Sequence, residues 1–172
     1  MLKIFFISLL LLPVLSFCQD TINNTGSKIT TDDAREILDH HNKIRSDLQI
    51  PPLTWSSELA AYAQQWADSL ASQDNCTIRH RDQPLYGENI YMASSSESFK
   101  PVTASLAWYS EKEKYTYSKI GEGNWQSSLH YTQMIWKNTT EMGAGMATCA
   151  NGSVIVVANY NPPGNFSGEY PY

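Results

Sequence analysis

The chain has 172 residues, of which 42% are apolar, 12% aromatic and 17% charged, and its formal net charge is −5. That length allows one domain or at most two around a real hydrophobic core, and the balance of apolar and charged residues excludes wholesale disorder. A net negative charge without a Lys/Arg-rich run excludes a phosphate-backbone binder, so no nucleic-acid partner is expected, and three cysteines are too few for a disulfide-dense miniprotein.

The first eighteen residues read as a secretory signal. Lys3 is followed by an apolar run from Ile4 to Leu12 and by Pro13, and Ser16 and Cys18 are small residues placed for cleavage before Gln19. The run is too short for a membrane span, which needs about 20 apolar residues. An alternative makes Cys18 the acylated first residue of a lipoprotein, but the bulky Phe17 stands where such a signal wants a small residue. No later segment is long and apolar enough to predict a transmembrane helix, so the expectation is a secreted protein. Once Cys18 is removed, Cys76 and Cys149 remain, and two cysteines in an oxidising compartment read as one disulfide.

Residues 19–30 are polar and aperiodic and predict a flexible lead-in, ahead of one domain over 31–172. From Thr31, the apolar positions Ala34, Ile37, Leu38, His41, Ile44 and Leu48 recur at helical spacing, with Thr31 or Asp32 as cap and Pro51-Pro52 as terminator. A second helix follows Ser56 or Ser57, with Leu59, Ala63, Trp66, Ala67 and Leu70 on its apolar stripe. GENIYMA (87–93) predicts a short strand, and a third helix starts near Pro101 and runs to about Tyr115. Two apolar runs, Met142–Cys149 and Ser153–Tyr160, flank Asn151-Gly152, the strongest short hairpin signal available. Helices followed by a hairpin define an α+β domain with helices packed on an antiparallel sheet.

Catalytic signatures are absent: there is no G-x-S-x-G elbow, H-E-x-x-H helix, C-x-x-C pair or phosphate-cradling loop. What remains is four histidines, His40, His41, His80 and His130, and spacing alone does not bring them together. His41 lies on the apolar stripe of the first helix, where a packed structural imidazole is the simpler reading.

HNKIRSDLQIPPLTWSSELAAYAQQWAD (41–68), GENIY (87–91), WYSEKEKY (108–115), HYTQMIW (130–136) and VVANYNPPGNF (156–166) stand in order along the chain. Together they resemble the CAP superfamily of cysteine-rich secretory proteins, antigen five and plant pathogenesis-related proteins of the first group. The resemblance runs from about Thr31 to Tyr172 and is strongest for the single-domain plant members. It implies a three-layer α-β-α sandwich with a small antiparallel sheet, and a central cavity formed by His80, Glu88, Glu111 and His130. Two imidazoles and two carboxylates would suit Zn²⁺ or another divalent cation, with His80 and His130 as ligands and the carboxylates orienting them. The alternative is that the four groups only fasten three segments together by hydrogen bonds.

The chain departs from the family pattern at several points. Arg81-Asp82-Gln83 replaces the more usual Ser-Gly-Gly after His80, and Leu129 stands where Gly or an acidic residue is usual. Ala158 and Ala144 occupy the positions of one cysteine pair of plant relatives, leaving Cys76 and Cys149 to match another. The resemblance implies a non-enzymatic binder of a sterol, another lipid or a small apolar ligand, active in defence or extracellular interaction. Its candidate surface is Met92–Pro101 together with the central groove, and the segment is mostly polar, with only Met92 and Phe99 large and apolar. Two alternatives are a metal-dependent hydrolase using the His/Glu tetrad, and release of the tail PPGNFSGEYPY (162–172) as a signalling peptide; an ordered tail packed by Tyr170 and Tyr172 is the simpler expectation for the latter.

Overall fold

In the computed structural model, which describes residues 22–72 and 76–172, the first helix is capped by Thr30 rather than by Thr31 or Asp32. The Thr30 side chain accepts from the Asp33 amide, and Asp32 and Asp33 occupy the electropositive first turn. This helix, α1 (Thr31–Asp47), buries Ala34, Ile37, Leu38, His41 and Ile44 as the spacing predicts, and Arg45 beside them. The signal segment, Cys18 and residues 19–21 lie outside the described residues.

Residues 22–30 differ from the flexible lead-in expected of their composition. Ile22 and Ile29 are buried in the core, the Trp55 indole donates to the Thr25 carbonyl at 3.0 Å, and the Lys28 amide donates to Gln64 Oε1 at 3.0 Å. Two isolated apolar residues in a polar stretch are enough to dock it once neighbouring side chains satisfy its backbone.

After β1 (Thr54–Trp55), Ser56 caps α2 (Ser57–Ala71) through the Leu59 amide. β2 (Gly87–Ala93) is followed by α3 (Val102–Ser110), shorter than expected, because the chain tightens into a 3₁₀ turn over Glu111–Lys114. A second 3₁₀ turn, Trp125–Ser128, leads into α4 (Leu129–Met134). The hairpin strands are β3 (Glu141–Thr148) and β4 (Val154–Asn161).

The sheet order is β1-β3-β4-β2. Its three long strands are antiparallel, as expected, while the two-residue β1 runs parallel to β3 and makes the sheet mixed. Strand alternation divides the core into two layers. Val154, Val156, Ala158 and Tyr160 of β4 pack with α1, α3 and α4, whereas Ile155 and Val157 pack with Ala63, Trp66, Ala67 and Leu70 of α2. β4 is therefore covered on both faces, and the molecule is a three-layer α-β-α sandwich. Gly145 lets α2 approach β3 closely, since a Cβ there would stand 2.4 Å from the Gln64 backbone nitrogen.

Cys76 and Cys149 are joined by a disulfide. Ala144 and Ala158 face each other in register across the hairpin, both fully buried. The C-terminal segment is docked, with the Gly164 amide donating to Gln133 Oε1 at 3.0 Å and the Lys137 amide to the Pro171 carbonyl at 2.7 Å. Tyr117 stacks on Tyr170, and its hydroxyl donates to the Tyr172 carbonyl at 2.5 Å.

Candidate functional site

β2 brings Glu88 to the sheet edge, where its side chain is 2% exposed. His80, on the loop before β2, shares a 2.8 Å hydrogen bond between Nδ1 and Glu88 Oε1, which also accepts from the Arg81 amide at 3.2 Å. The hydrogen bond to Glu88 raises His80 above the ordinary imidazole range, with burial acting the other way. The His80 ring itself is largely exposed.

The second pair is built by the turn after α3. Glu111, first residue of the 3₁₀ turn, reaches the start of α4, where Oε1 lies 2.6 Å from His130 Nδ1. Its Oε2 accepts from the His130 amide at 3.0 Å and the Tyr131 amide at 3.2 Å. One carboxylate thus orients the imidazole and satisfies two free amides at the start of α4. Trp108 stacks on the His130 ring with centroids 6.4 Å apart, and the Trp108 indole donates to the Ile90 carbonyl at 3.3 Å.

The four expected residues therefore form two histidine–carboxylate pairs. Asn89, next to Glu88 in β2, links the pairs by donating to the His130 carbonyl at 3.0 Å. In each pair Nδ1 faces the carboxylate, which fixes the orientation of the imidazole and leaves Nε2 uncommitted to it. Among the described residues no group of three or more His, Cys, Asp and Glu is close enough to hold a metal.

Behind Asn89 lies a buried polar chain that periodicity did not reveal. The Asn89 amide also donates to the Tyr160 hydroxyl at 3.3 Å, and that hydroxyl is 3.0 Å from His41 Nε2. His41 Nδ1 lies 2.9 Å from the Ile37 carbonyl and 3.1 Å from Ser105 Oγ, which in turn lies 2.7 Å from His40 Nδ1. The protonation pattern that satisfies these contacts has His41 Nδ1 donating to Ile37 and Tyr160 donating to Nε2. His41 is thus the packed structural imidazole that its place on α1 predicts. Asn89 follows Glu88 in the GENIY segment, which was the available signal for it.

Burial holds His41 down to about 3, with His40 and Arg45 pushing the same way and the Ile37 hydrogen bond opposing. An unfolded imidazole takes up a proton below about pH 6.5, whereas His41 in the folded protein does so only near 3. Its contribution to stability therefore falls as pH drops through that interval, by up to about 1.4 kcal/mol per pH unit. Urea unfolding at pH 7 and pH 5 is expected to show a loss of about 2 kcal/mol from this group, and His41→Gln to lose correspondingly less between the two. His80, raised in the fold, works in the opposite direction. Equal slopes in wild type and His41→Gln would contradict the assignment.

A four-stranded sheet layered between α2 and the group α1, α3 and α4, with histidine–carboxylate pairs at the β2 edge and the start of α4, defines the class: a CAP-fold sandwich. The model of the cysteine-rich secretory protein family, CAP, matches residues 38–160, and the chain belongs to that family. It is 38% identical over 139 residues to pathogenesis-related protein 1A of Nicotiana tabacum, covering 80% of each chain. Among solved structures, BmVAL-1 matches with a TM-score of 0.68 and 26% identity, over 86% of this chain and 84% of that one. The crystal structure of NaASP2 with Zn²⁺ matches with a TM-score of 0.72 and 24% identity, over 84% and 86%. The last of these carries the fold alone.

Proposed function

We propose that the protein is a secreted, non-enzymatic binding protein that holds a divalent cation at His80 and His130, takes a small apolar ligand such as a sterol or another lipid, and acts in defence or extracellular interaction. The observation that carries the cation reading is the pair of imidazoles whose Nδ1 atoms are committed to Glu88 and Glu111. Secretion is supported by the signal-like residues 1–18, and the defence role by homology to a pathogenesis-related protein. Zinc, which takes imidazole ligands readily, is the first cation to try. Bound there, the cation would supply a fixed positive charge able to anchor an anionic or carbonyl group of a ligand.

The apolar-ligand reading rests on a small surface. Phe99 stacks on Tyr91 with centroids 6.2 Å apart and packs against the core, leaving Met92 as the exposed large apolar residue of 92–101. Calorimetric titration with zinc chloride is expected to give one site per chain, weakened by more than about tenfold in His130→Ala and in His80→Ala. Unchanged affinity in both variants would remove the cation site. A sterol titration without saturable binding would remove the apolar ligand and leave the cation reading standing.

A further inference from the structure

Among the described residues, three of the four buried side-chain atoms with no hydrogen-bond partner in the protein converge where α2 covers the β2 edge of the sheet: Glu88 Oε2, Arg81 Nε and Asn159 Oδ1. Glu88 and Asn159 stand opposite each other in the β2–β4 register. Two residues along, the opposed pair Ile90 and Val157 packs with Trp66 and Ala67 of α2. Strand alternation therefore turns Glu88 and Asn159 to that same face, and directly opposed residues hold their Cβ atoms about 4.5–5.5 Å apart.

Each of the three groups is already fixed by its other atoms. The Glu88 side chain is 2% exposed, and its Oε1 is taken by His80 Nδ1 and the Arg81 amide. Asn159 is fully buried and its Nδ2 donates to the Gly87 carbonyl at 3.0 Å, which sets Oδ1 as the free end. The Arg81 guanidinium lies 3.8 Å over the Tyr62 ring, and Nη2 donates to the Tyr62 carbonyl at 2.5 Å. So anchored, its Nε stays 4.0 Å from Glu88 Oε2, beyond hydrogen-bond range.

We propose that Glu88 Oε2, Asn159 Oδ1 and Arg81 Nε bind one internal water molecule. Two acceptors and one donor are the complement of a molecule that donates twice and accepts once, and buried waters commonly make about three hydrogen bonds. The opposite charges of Glu88 and Arg81 leave none to be neutralised, so the ligand is neutral. A cation would satisfy the two oxygens but would offer Arg81 Nε no acceptor. Two atoms 4.0 Å apart leave room for one non-hydrogen atom bonded to both. The water does for Glu88 what backbone amides do for Glu111, whose Oε2 accepts from His130 and Tyr131 while Oε1 holds the imidazole. It fixes the inner oxygen of Glu88, so that the outer one stays turned to His80, and it ties β2, β4 and the His80 loop together at one point.

The test is a high-resolution crystal structure of the metal-free wild-type protein, paired with oxygen-17 magnetic relaxation dispersion in solution on wild type and Asn159→Leu. The expected result is a single density peak about 2.7–3.2 Å from all three atoms, and the loss of one long-lived water in the variant. A peak about 2.0–2.2 Å from Glu88 Oε2 is a metal ion and overturns the proposal. So does the lack of a peak, with Arg81 Nε or Asn159 closing directly on Glu88 Oε2. A crystal peak with equal numbers of long-lived waters in wild type and folded Asn159→Leu marks a water ordered only in the crystal, and overturns it as well. The wild-type density decides the matter if Asn159→Leu does not fold.

Discussion

Replacing Arg45 with Met is expected to cost about 4 kcal/mol or more of folding stability, measured by urea unfolding. Arg45 is fully buried, and every partner of its guanidinium is a backbone carbonyl. Nε donates to Pro51 at 2.6 Å, Nη1 to Met134 and Trp136 at 3.0 and 2.9 Å, and Nη2 to Thr139 at 2.9 Å. The side chain thus stands where the end of α1, the Pro51 turn and the chain leaving α4 converge, and none of those carbonyls belongs to a regular ladder. Burial lowers the group only to about 10, so it is charged at neutral pH. Met fills much of the volume but takes away the Arg45 donor of the Pro51, Met134 and Thr139 carbonyls, while Trp136 keeps the Thr139 amide, and an unsatisfied buried acceptor costs about 1–3 kcal/mol. Against a typical total of about 5–15 kcal/mol, such a loss leaves the variant marginal or unfolded at 37 °C. Arg45→Lys keeps the charge without the planar fork and is expected to recover only part of the loss. A Met variant within about 1 kcal/mol of wild type would show that water satisfies these carbonyls and that Arg45 is not their clamp.

Arg45 also illustrates what the sequence conceals. It lies four residues after His41, on the stripe that buries Ile37, Leu38 and Ile44, but a charged residue there reads as the edge of a solvated face rather than as core. α4 was hidden for a different reason. Tyr131, Thr132, Gln133 and Met134 are all buried, so a six-residue helix surrounded by protein has no polar face to create a period. β1 has two residues and exists through pairing with β3, a non-local contact beyond any local pattern. The readable elements were those with local causes: the apolar stripes of α1 and α2, and Asn151-Gly152 at the hairpin, where Gly152 takes a φ of 85°. His80 and Glu88 were grouped with Glu111 and His130 only through family resemblance, since the four residues span three elements and a loop. Their division into two pairs, joined through Asn89 and unequally charged because of Arg81, comes from the packing of β2 against α4 and α2.

Reduction of the Cys76–Cys149 disulfide is expected to cost roughly 4 kcal/mol, and the double variant Cys76→Ala/Cys149→Ala about the same. The bridge spans 73 residues and ties the chain entering the His80 loop to the end of β3. On the chain-entropy account the cost arises mainly in the denatured ensemble, which gains freedom when so long a loop opens. That account has a signature besides the midpoint. The uncrosslinked denatured chain exposes more surface, so the urea m-value should rise while the midpoint falls. A fall in midpoint at constant m would place the loss in the native state instead, in the packing around two cysteines that are both nearly fully buried. The buried, in-register Ala144–Ala158 pair makes the measurement informative: where a second cross-strand bridge could have stood, two methyl groups complete the core and add no crosslink. Cys76–Cys149 is therefore the single covalent constraint among the described residues. Arg79 and Arg81, stacked on Trp66 and Tyr62, are expected to keep the His80 loop near β2 after reduction. Amide exchange should then show residues 76–79 loosening more than residues 87–90. A reduced protein that retains both its midpoint and its exchange pattern would show that non-covalent packing alone sets the stability of this fold.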